Sequence, residues 1–272
     1  MARLKIGIVG CGAIGSSLAG AIVSDFSKDA QLSALFDFDI TKAQRLSNKV
    51  KRNSLAVETL AQLIRKSRLV IECASAGSSF DIAKTALMDS KDVLIMSVGG
   101  VVGKLPYLIS LAKKNKCRIF IPSGAIAGVD ALKAASLQKI KKVTLTTRKN
   151  PVSFESVEYV KRKRINLKGL ARDRVLFFGP AKEAVKYFPQ NINVAAVLSL
   201  AGIGEERTLV KIIASPKTKR NIHEIQIDSE AGEIFTRVEN ILHPDNPKTS
   251  YLAVLSAMAT LRQIFMPVKI GT

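Results

Sequence analysis

The amino-acid sequence predicts an α/β protein in which a doubly wound parallel sheet precedes a second, α+β domain built on an open, mainly antiparallel sheet. In the first half of the chain, apolar runs alternate with helical patterns, an order typical of a parallel sheet covered by helices. After about residue 130, the strand patterns acquire one polar face, as in antiparallel sheets with a solvated side. The 272 residues, 47% of them hydrophobic, suffice for two such cores.

Five short apolar runs predict the strands of the first domain, at residues 4–9, 32–37, 69–74, 92–98 and 118–123. Helical patterns fall between these strands, at residues 14–22, 79–88 and 105–114. The first helix is indicated by Ile14, Leu18 and Ile22, which recur at a spacing of four. We assign residues 1–130 to this first domain.

The second domain is assigned to residues 131–245. Its strands are predicted from alternating polar and apolar residues at 143–150, 209–215, 222–228 and 233–240. Helical stretches lie around residues 180–187 and 193–201. Because an open sheet leaves an edge or a face that must be covered, we expect this domain to form a homodimer as well as to bind substrate.

The last segment, residues 246–272, is predicted to return to a helix. Thr249 or Ser250 can cap the helix, since both follow a loop that is interrupted by two prolines. One apolar stripe then runs along it, formed by Val254, Met258, Leu261 and Phe265. We expect this stripe to pack back on the first domain.

The stretch VGCGAIGSSLAG contains three glycines in the pattern G-x-G-x-x-G, directly after a predicted strand and at the start of a predicted helix. Gly10 permits a tight turn, Gly12 lets the backbone approach a pyrophosphate, and Gly15 lets the helix lie against the strand. The N–H groups of the first helical turn, which includes Ala13 and Ile14, attract phosphates. This context predicts a Rossmann domain that binds a dinucleotide.

Asp37 lies 22 residues after Gly15, at the end of the second predicted strand. A carboxylate at this position binds the adenosine ribose hydroxyls and repels the ribose phosphate of NADP, so NAD is favoured. Lys42 and Arg45 are near enough in sequence to approach that phosphate, and NADP stays a possible second cofactor.

Turns of small residues follow the third, fourth and fifth predicted strands, at 73–79, 97–100 and 123–128. The nicotinamide end of a dinucleotide binds at these strand ends, although ordinary tight turns explain the small residues equally well. We assign Ala74, Ser75, Ser97 and Val98 to the cofactor and Ser123 to the substrate.

Two histidines are candidates for acid–base chemistry, because histidine exchanges protons near neutral pH. His223 lies on a predicted strand, whereas His243 lies in a predicted loop between Leu242 and Pro244. Each has a structural alternative as an ordinary surface or core residue. Asn193 precedes an apolar helical run, where it either caps the helix or presents its amide to a ligand.

The net charge of +20 and the pI near 10 raise the question of nucleic-acid binding. The basic runs 139–142 and 161–164 have one neighbouring aromatic, Tyr159, where a single-strand platform needs several. A solvated basic face or an anionic small-molecule ligand explains the charge more simply, and we expect no nucleic-acid partner.

The three cysteines, Cys11, Cys73 and Cys117, are far apart and suggest neither disulfides nor a metal site. No apolar run approaches the ~20 residues that span a bilayer, and the first residues lack a signal-peptide pattern. We therefore expect a cytoplasmic protein with no membrane partner and no metal.

Several longer motifs are more specific than the glycine loop: PSGAIAGVDAL, TTRKNP, FPQNINVAA, NIHEI and NPKTSYLA. In their order and spacing, the chain resembles the L-aspartate dehydrogenase family over essentially its whole length. The resemblance implies an NAD(P)-dependent enzyme that oxidises L-aspartate to iminoaspartate, which hydrolyses to oxaloacetate and ammonia or feeds NAD biosynthesis. It also implies that His223 is the catalytic histidine and that Ala125 and Asn193 contact the cofactor.

Two departures from the family pattern concern the nicotinamide end. The chain has SVGGV where the family usually has SVGAL, and the turn CASAGSS lacks the acidic or glutamine residue often found there. These departures bear on fine positioning of the nicotinamide and leave the reaction type unchanged.

Aspartate carries two carboxylates, so its site needs cations. Lys248 is assigned to the substrate together with His243, and Arg148 or Lys149 can supply a further positive charge. Hydride leaves Cα only when the amine is neutral, which gives His223 the role of base. Two alternatives remain: a related dehydrogenase acting on another amino-acid-derived substrate, of the homoserine or dihydrodipicolinate type, and a non-catalytic protein that senses a cofactor or binds nucleic acid.

Overall fold

The computed structural model describes residues 2–52, 54–188, 193–244 and 246–271. The chain divides into two compact units, residues 1–122 with 254–269 and residues 123–253 with 270–272. The sequence predicts a domain boundary at residue 130, whereas in the structure the turn at 123–128 belongs to the second unit. The reason is hydrogen bonding, since Asn240 and Thr236 of the second unit donate to the carbonyls of Ala125 and Ala127.

The first unit contains a parallel sheet of five strands in the order β2-β1-β3-β4-β5. The strands are β1 (Leu4–Val9), β2 (Ala30–Phe36), β3 (Leu69–Glu72), β4 (Asp92–Ile95) and β5 (Ile119–Phe120). All five were predicted from their apolar runs and are confirmed. The strand order reverses between β1 and β3, and open α/β sheets bind ligands at the carboxyl ends of the strands that flank such a reversal.

Between these strands the chain forms the helices α1 (Ala13–Val23), α2 (Ile40–Lys49), α3 (Leu60–Lys66), α4 (Ala76–Met88) and α5 (Leu105–Lys114). The predictions of α1, α4 and α5 are confirmed. The helices α2 and α3 were not predicted, because α2 is largely polar and α3 has only seven residues. Their caps were the available signal, because Asp39 accepts from Thr41 N at the start of α2 and Thr59 forms a capping box with Gln62 in α3.

The second unit contains a five-stranded mixed sheet in the order β10-β9-β6-β8-β7. Its strands are β6 (Ile140–Lys149), β7 (Arg174–Pro180), β8 (Thr208–Ala214), β9 (Asn221–Ser229) and β10 (Gly232–Asn240). β6 and β8 are parallel and the other neighbouring pairs are antiparallel, which confirms the predicted mainly antiparallel sheet. β7 was missed, because its register against β8 shifts between Val175 and Phe177 and breaks the alternation.

The other elements of this unit are α6 (Val129–Ala135), α7 (Glu158–Arg162), α8 (Ala181–Tyr187), α9 (Asn193–Ala201) and a small hairpin of β11 (Leu242–His243) and β12 (Asn246–Ser250). α8 and α9 are confirmed predictions. The expectation that His243 lies in a loop is wrong, because His243 pairs with Asn246 in this hairpin.

The C-terminal helix α10 (Tyr251–Phe265) packs into the core of the first unit. Ala257 and Leu261 are fully buried in the cluster built around β1 and α1, and the Phe265 ring lies 5.8 Å from that of Phe26. Within the chain segments that the structure describes, no helix combines the length and the apolar character needed to cross a bilayer.

Candidate active site

The three glycines of the loop between β1 and α1 differ in whether the surrounding structure requires a glycine. Gly10 adopts φ +94°, and a Cβ there would lie 2.5 Å from the Cys73 backbone. A Cβ at Gly15 would lie 2.0 Å from the Gly10 carbonyl oxygen. A Cβ at Gly12 would meet nothing within 4 Å, so packing does not require this glycine.

Gly12 is the N-cap of α1, followed by Ala13 and Ile14 in the first turn. Open space therefore lies directly in front of helical N–H groups, the arrangement that suits a phosphate. A side chain at residue 12 would fill this space. The loop fits the pyrophosphate of a dinucleotide for this reason.

The Asp37 carboxylate is held at this loop by two backbone N–H groups. Its Oδ2 accepts from Cys11 N at 2.8 Å, and its Oδ1 accepts from Asp39 N at 3.0 Å. Each carboxylate oxygen keeps a second lone pair for another donor. The carboxylate is thus fixed in position while retaining the capacity to accept from ribose hydroxyls.

The turns after β3 and β4 are joined by a buried carboxylate that the sequence analysis missed. Glu72 is fully buried, and its Oε1 accepts from Ala74 N at 2.8 Å. Its Oε2 accepts from Ser97 N at 2.9 Å and from the Ser79 hydroxyl at 3.0 Å. Burial raises the pKa of Glu72. An acidic residue within the apolar run LVIECA was the available signal.

Glu72 therefore fixes two of the three turns at which the nicotinamide end is expected to bind. Ser75 is the N-cap of α4, and Val98 follows Ser97 and is buried. The departure SVGGV also has a structural explanation at this point. A Cβ at Gly100 would lie 2.0 Å from the Ala76 carbonyl oxygen, so this chain uses glycine where the turn meets the start of α4.

In the second unit, His223 lies on β9 opposite Thr147 of β6 and is 3% exposed. The two side chains are joined by a hydrogen bond of 3.0 Å between Thr147 Oγ1 and His223 Nδ1. Burial and the nearby positive charge of Lys149 lower the pKa of His223 to about 3. The imidazole is consequently neutral at physiological pH, and the hydrogen bond to Thr147 occupies Nδ1.

Lys149 is two residues beyond Thr147 on β6 and lies on the same buried face of the sheet as His223. Diagonal neighbours on adjacent strands are about 7–8 Å apart at Cα, within reach of a long side chain. Burial lowers the pKa of Lys149 to about 8. Arg148 faces the opposite side, where it forms an ion pair with Glu224 at 2.6 Å.

Lys149→Met is expected to stabilise the protein at pH 7 by up to about 3 kcal/mol and much less at pH 10. The lowered pKa means that the unfolded chain holds the proton more tightly, so folding is penalised below pH 8 and the penalty fades as the pH rises toward 10.5. Urea unfolding at both pH values measures this difference. Lys142→Met, at an exposed position of the same strand, is the control, and an equal gain at both pH values would contradict the assignment.

The turn that carries Ala125 is tied to β10, and the end of β10 is tied in turn to the start of β9. Asn240 Nδ2 donates to Ala125 O at 3.0 Å and to Asn221 O at 3.3 Å. Asn221 Nδ2 donates to Ser250 Oγ at 3.1 Å, and Thr236 Oγ1 donates to Ala127 O at 3.1 Å. Sequence reasoning missed these asparagines; polar residues at buried strand ends were the signal.

The remaining predicted site residues all lie in the second unit. Ser123 is half-buried at the start of the second unit, and Asn193 is exposed at the first position of α9, directly after residues outside the described range. His243 is 3% exposed, with its ring 5.5 Å from that of Tyr251. Lys248 belongs to β12, but its side chain lies outside the described part of the protein.

Comparison with known proteins connects both units to dehydrogenases. Residues 130–264 match the family described as aspartate dehydrogenase, C-terminal, and residues 10–122 match the homoserine dehydrogenase NAD binding domain. The chain is 46% identical over 271 residues to the L-aspartate dehydrogenase of Methanosarcina barkeri. Its identity to that of Methanosarcina acetivorans is 48%, and both alignments cover 99% of this chain and 100% of the relative.

Solved structures show the same likeness. Aspartate dehydrogenase from Thermotoga maritima superposes with a TM-score of 0.73 at 28% identity, covering 99% of this chain and 100% of that one. A putative homoserine dehydrogenase from Archaeoglobus fulgidus has a TM-score of 0.57 at 17% identity, a likeness of fold. It covers 97% of this chain and 99% of that one.

Proposed function

The chain belongs to the L-aspartate dehydrogenase family, and from this membership we infer that it is an oxidoreductase converting L-aspartate to iminoaspartate with a nicotinamide cofactor. Iminoaspartate hydrolyses to oxaloacetate and ammonia, or supplies NAD biosynthesis. The observation in the structure that best supports this chemistry is the buried His223, whose Nδ1 is joined to Thr147 Oγ1 at 3.0 Å. A neutral imidazole can accept the proton that a substrate ammonium must lose before hydride transfer.

We propose the following roles for the second unit. His223 carries its ring proton on Nδ1, which donates to Thr147 Oγ1, so Nε2 takes a proton from the substrate ammonium while Thr147 keeps the ring in one orientation. Lys149 and Lys248 supply positive charge for the substrate carboxylates, and Ser123 and His243 complete the substrate contacts. When bound, the oxidised cofactor supplies the acceptor for the hydride that leaves Cα. The charge of bound carboxylates favours the protonated imidazole and so raises the proton affinity of His223.

We propose that the preferred cofactor is NAD, with NADP accepted less well. Residues of the glycine loop, Gly10, Gly12, Ala13, Ile14 and Gly15, would hold the pyrophosphate, and Asp37 the adenosine ribose. The nicotinamide end would contact residues in the turns and in α9, namely Ala74, Ser75, Ser97, Val98, Ala125 and Asn193.

Asp37→Ala is expected to reduce the preference for NAD over NADP by about 10- to 100-fold, because it removes charge-assisted hydrogen bonds to the ribose and the repulsion of its phosphate. The measurement is kcat/KM for each cofactor. Asp39→Ala is the matched control: this carboxylate lies in the same turn but caps α2. If both variants keep the parent ratio, Asp37 does not discriminate between the cofactors.

The reaction is tested by following absorbance at 340 nm with L-aspartate, L-homoserine and other amino acids, each with NAD and NADP. We expect L-aspartate to give the highest kcat/KM. If the protein oxidises L-homoserine and does not oxidise L-aspartate, the substrate is L-homoserine. Cofactor binding without turnover of any amino acid would favour a sensor.

We also propose that the protein is a homodimer through the second unit. Large apolar side chains are exposed on both edge strands of its sheet, with Phe235 of β10 66% exposed and Phe178 of β7 60% exposed. A second copy of the chain would cover such a surface. Light scattering at micromolar concentration tests this, and a monomer mass would refute it.

We propose a cytoplasmic location, and the three free cysteine thiols are compatible with such a reducing compartment.

A further inference from the structure

Asn240 ends β10 and is 3% exposed. Its amide orientation is fixed by two acceptors, since Nδ2 donates to the carbonyl oxygens of Ala125 and Asn221. Exchanging the nitrogen and oxygen would place three oxygens against one another. The carboxamide oxygen Oδ1 therefore points elsewhere, and it is buried without a hydrogen-bond partner among the described residues.

A buried acceptor that lacks a donor destabilises the folded protein, so native proteins rarely retain one without a reason. The position of this acceptor relative to the proposed base suggests the reason. Asn240 pairs with Asn221 across the β9–β10 ladder, and His223 is two residues further along β9. Asn221 and His223 point to the same buried face of the sheet, so Asn240 and His223 are diagonal neighbours on that face.

We propose that Asn240 is a substrate-binding residue whose Oδ1 accepts a hydrogen bond from the amine nitrogen of the amino-acid substrate. This rests on the proposed function. The substrate nitrogen has one proton to give to His223 Nε2 and two N–H bonds that it keeps. Asn240 accepts a hydrogen bond from one of the retained N–H groups and thereby aligns the nitrogen lone pair with the Cα–H bond that breaks.

The same contact strengthens during the reaction. After the N–H bond to the transferred proton breaks and the Nε2–H bond forms, the nitrogen lone pair forms the C=N bond as hydride leaves Cα. Positive charge develops on the nitrogen, and its remaining N–H bonds become stronger donors. A carbonyl acceptor at that nitrogen consequently stabilises the transition state more than the neutral amine.

Asn240 Oδ1 could accept from a second N–H donor, which the experiment has to distinguish from the substrate amine. The cofactor's nicotinamide carboxamide also carries N–H bonds, and Ala125, which is tied to Asn240, is an expected cofactor contact. The two donors differ in a measurable way, because a dicarboxylate without an amine lacks only the first of them.

The experiment compares L-aspartate with succinate, which has two carboxylates and no amine, as ligands of the protein–NADH complex. The chain contains no tryptophan, so NADH fluorescence reports binding without interference. Asn240→Leu removes the acceptor and is expected to weaken L-aspartate about 10- to 100-fold, with succinate and NADH nearly unchanged. Asn240→Asp keeps an oxygen acceptor, adds a negative charge and is expected to raise the selectivity for L-aspartate over succinate.

Thr236→Val is the matched control, because it removes a neighbouring tie to the same turn and leaves Oδ1 in place. We expect its ratio of L-aspartate to succinate affinity to equal that of the parent. Equal weakening of both ligands by Asn240→Leu, or an unchanged ratio in both Asn240 variants, overturns the proposal. Weaker NADH binding with an unchanged ratio assigns Oδ1 to the cofactor. Failure of the proposed function is recognised by a different result: the parent protein itself would not oxidise L-aspartate.

Discussion

His223→Ala is expected to lower kcat for L-aspartate oxidation by about 10²–10⁴-fold while leaving the affinity for the nicotinamide cofactor nearly intact. The imidazole is buried, neutral and held through Nδ1 by Thr147, so its removal deletes a positioned proton acceptor. Steady-state kinetics at alkaline pH measures this loss, because the substrate amine is then most readily neutral.

His243→Ala is the matched comparison, since His243 is equally buried but lies on the short hairpin against Tyr251. We expect it to change kcat less and to act mainly through KM. If His243→Ala loses the larger share of kcat and His223→Ala is nearly as active as the parent, the catalytic assignment belongs to His243.

Thr147→Val separates orientation from proton transfer. It leaves the imidazole in place and removes the hydrogen bond to Nδ1. We expect an intermediate loss of kcat and unchanged cofactor affinity. A variant as active as the parent would show that packing alone orients the ring.

Gly12→Val is expected to abolish cofactor binding without unfolding the protein. The side chain enters the open space before α1, where no protein atom lies within 4 Å of the added Cβ, and it blocks the approach of the pyrophosphate. Calorimetric titration with NADH and a thermal melt test the two parts of this expectation.

Two other glycines provide the contrast. Gly20 also has free space around an added Cβ, but it lies near the end of α1, so Gly20→Val should retain binding. Gly15→Val should unfold the first unit, because its Cβ would collide with the Gly10 carbonyl at 2.0 Å. NADH binding by Gly12→Val at the parent affinity would disprove the role of this loop.

The parts of the molecule that were predictable are those in which neighbouring residues carry the whole signal. Apolar runs identified all the strands of the first sheet, and period-two alternation identified β6, β8, β9 and β10. The short polar helix α2 and the irregular strand β7 lack such periodicity. They are stabilised in the structure by packing of their few buried residues against neighbouring elements.

The sequence by itself determined the α/β class, the glycine loop with Asp37 at its expected distance, and the family, because these depend on local spacing and on motifs of adjacent residues. Tertiary structure alone decided how the polar groups around His223 are paired. Thr147 and His223 are 76 residues apart and Ala125 and Asn240 are 115 apart, so no local pattern connects them. Burial also set the charge states: removal from water favours the neutral forms of His223 and Lys149, and that removal depends on the whole sheet and its cover.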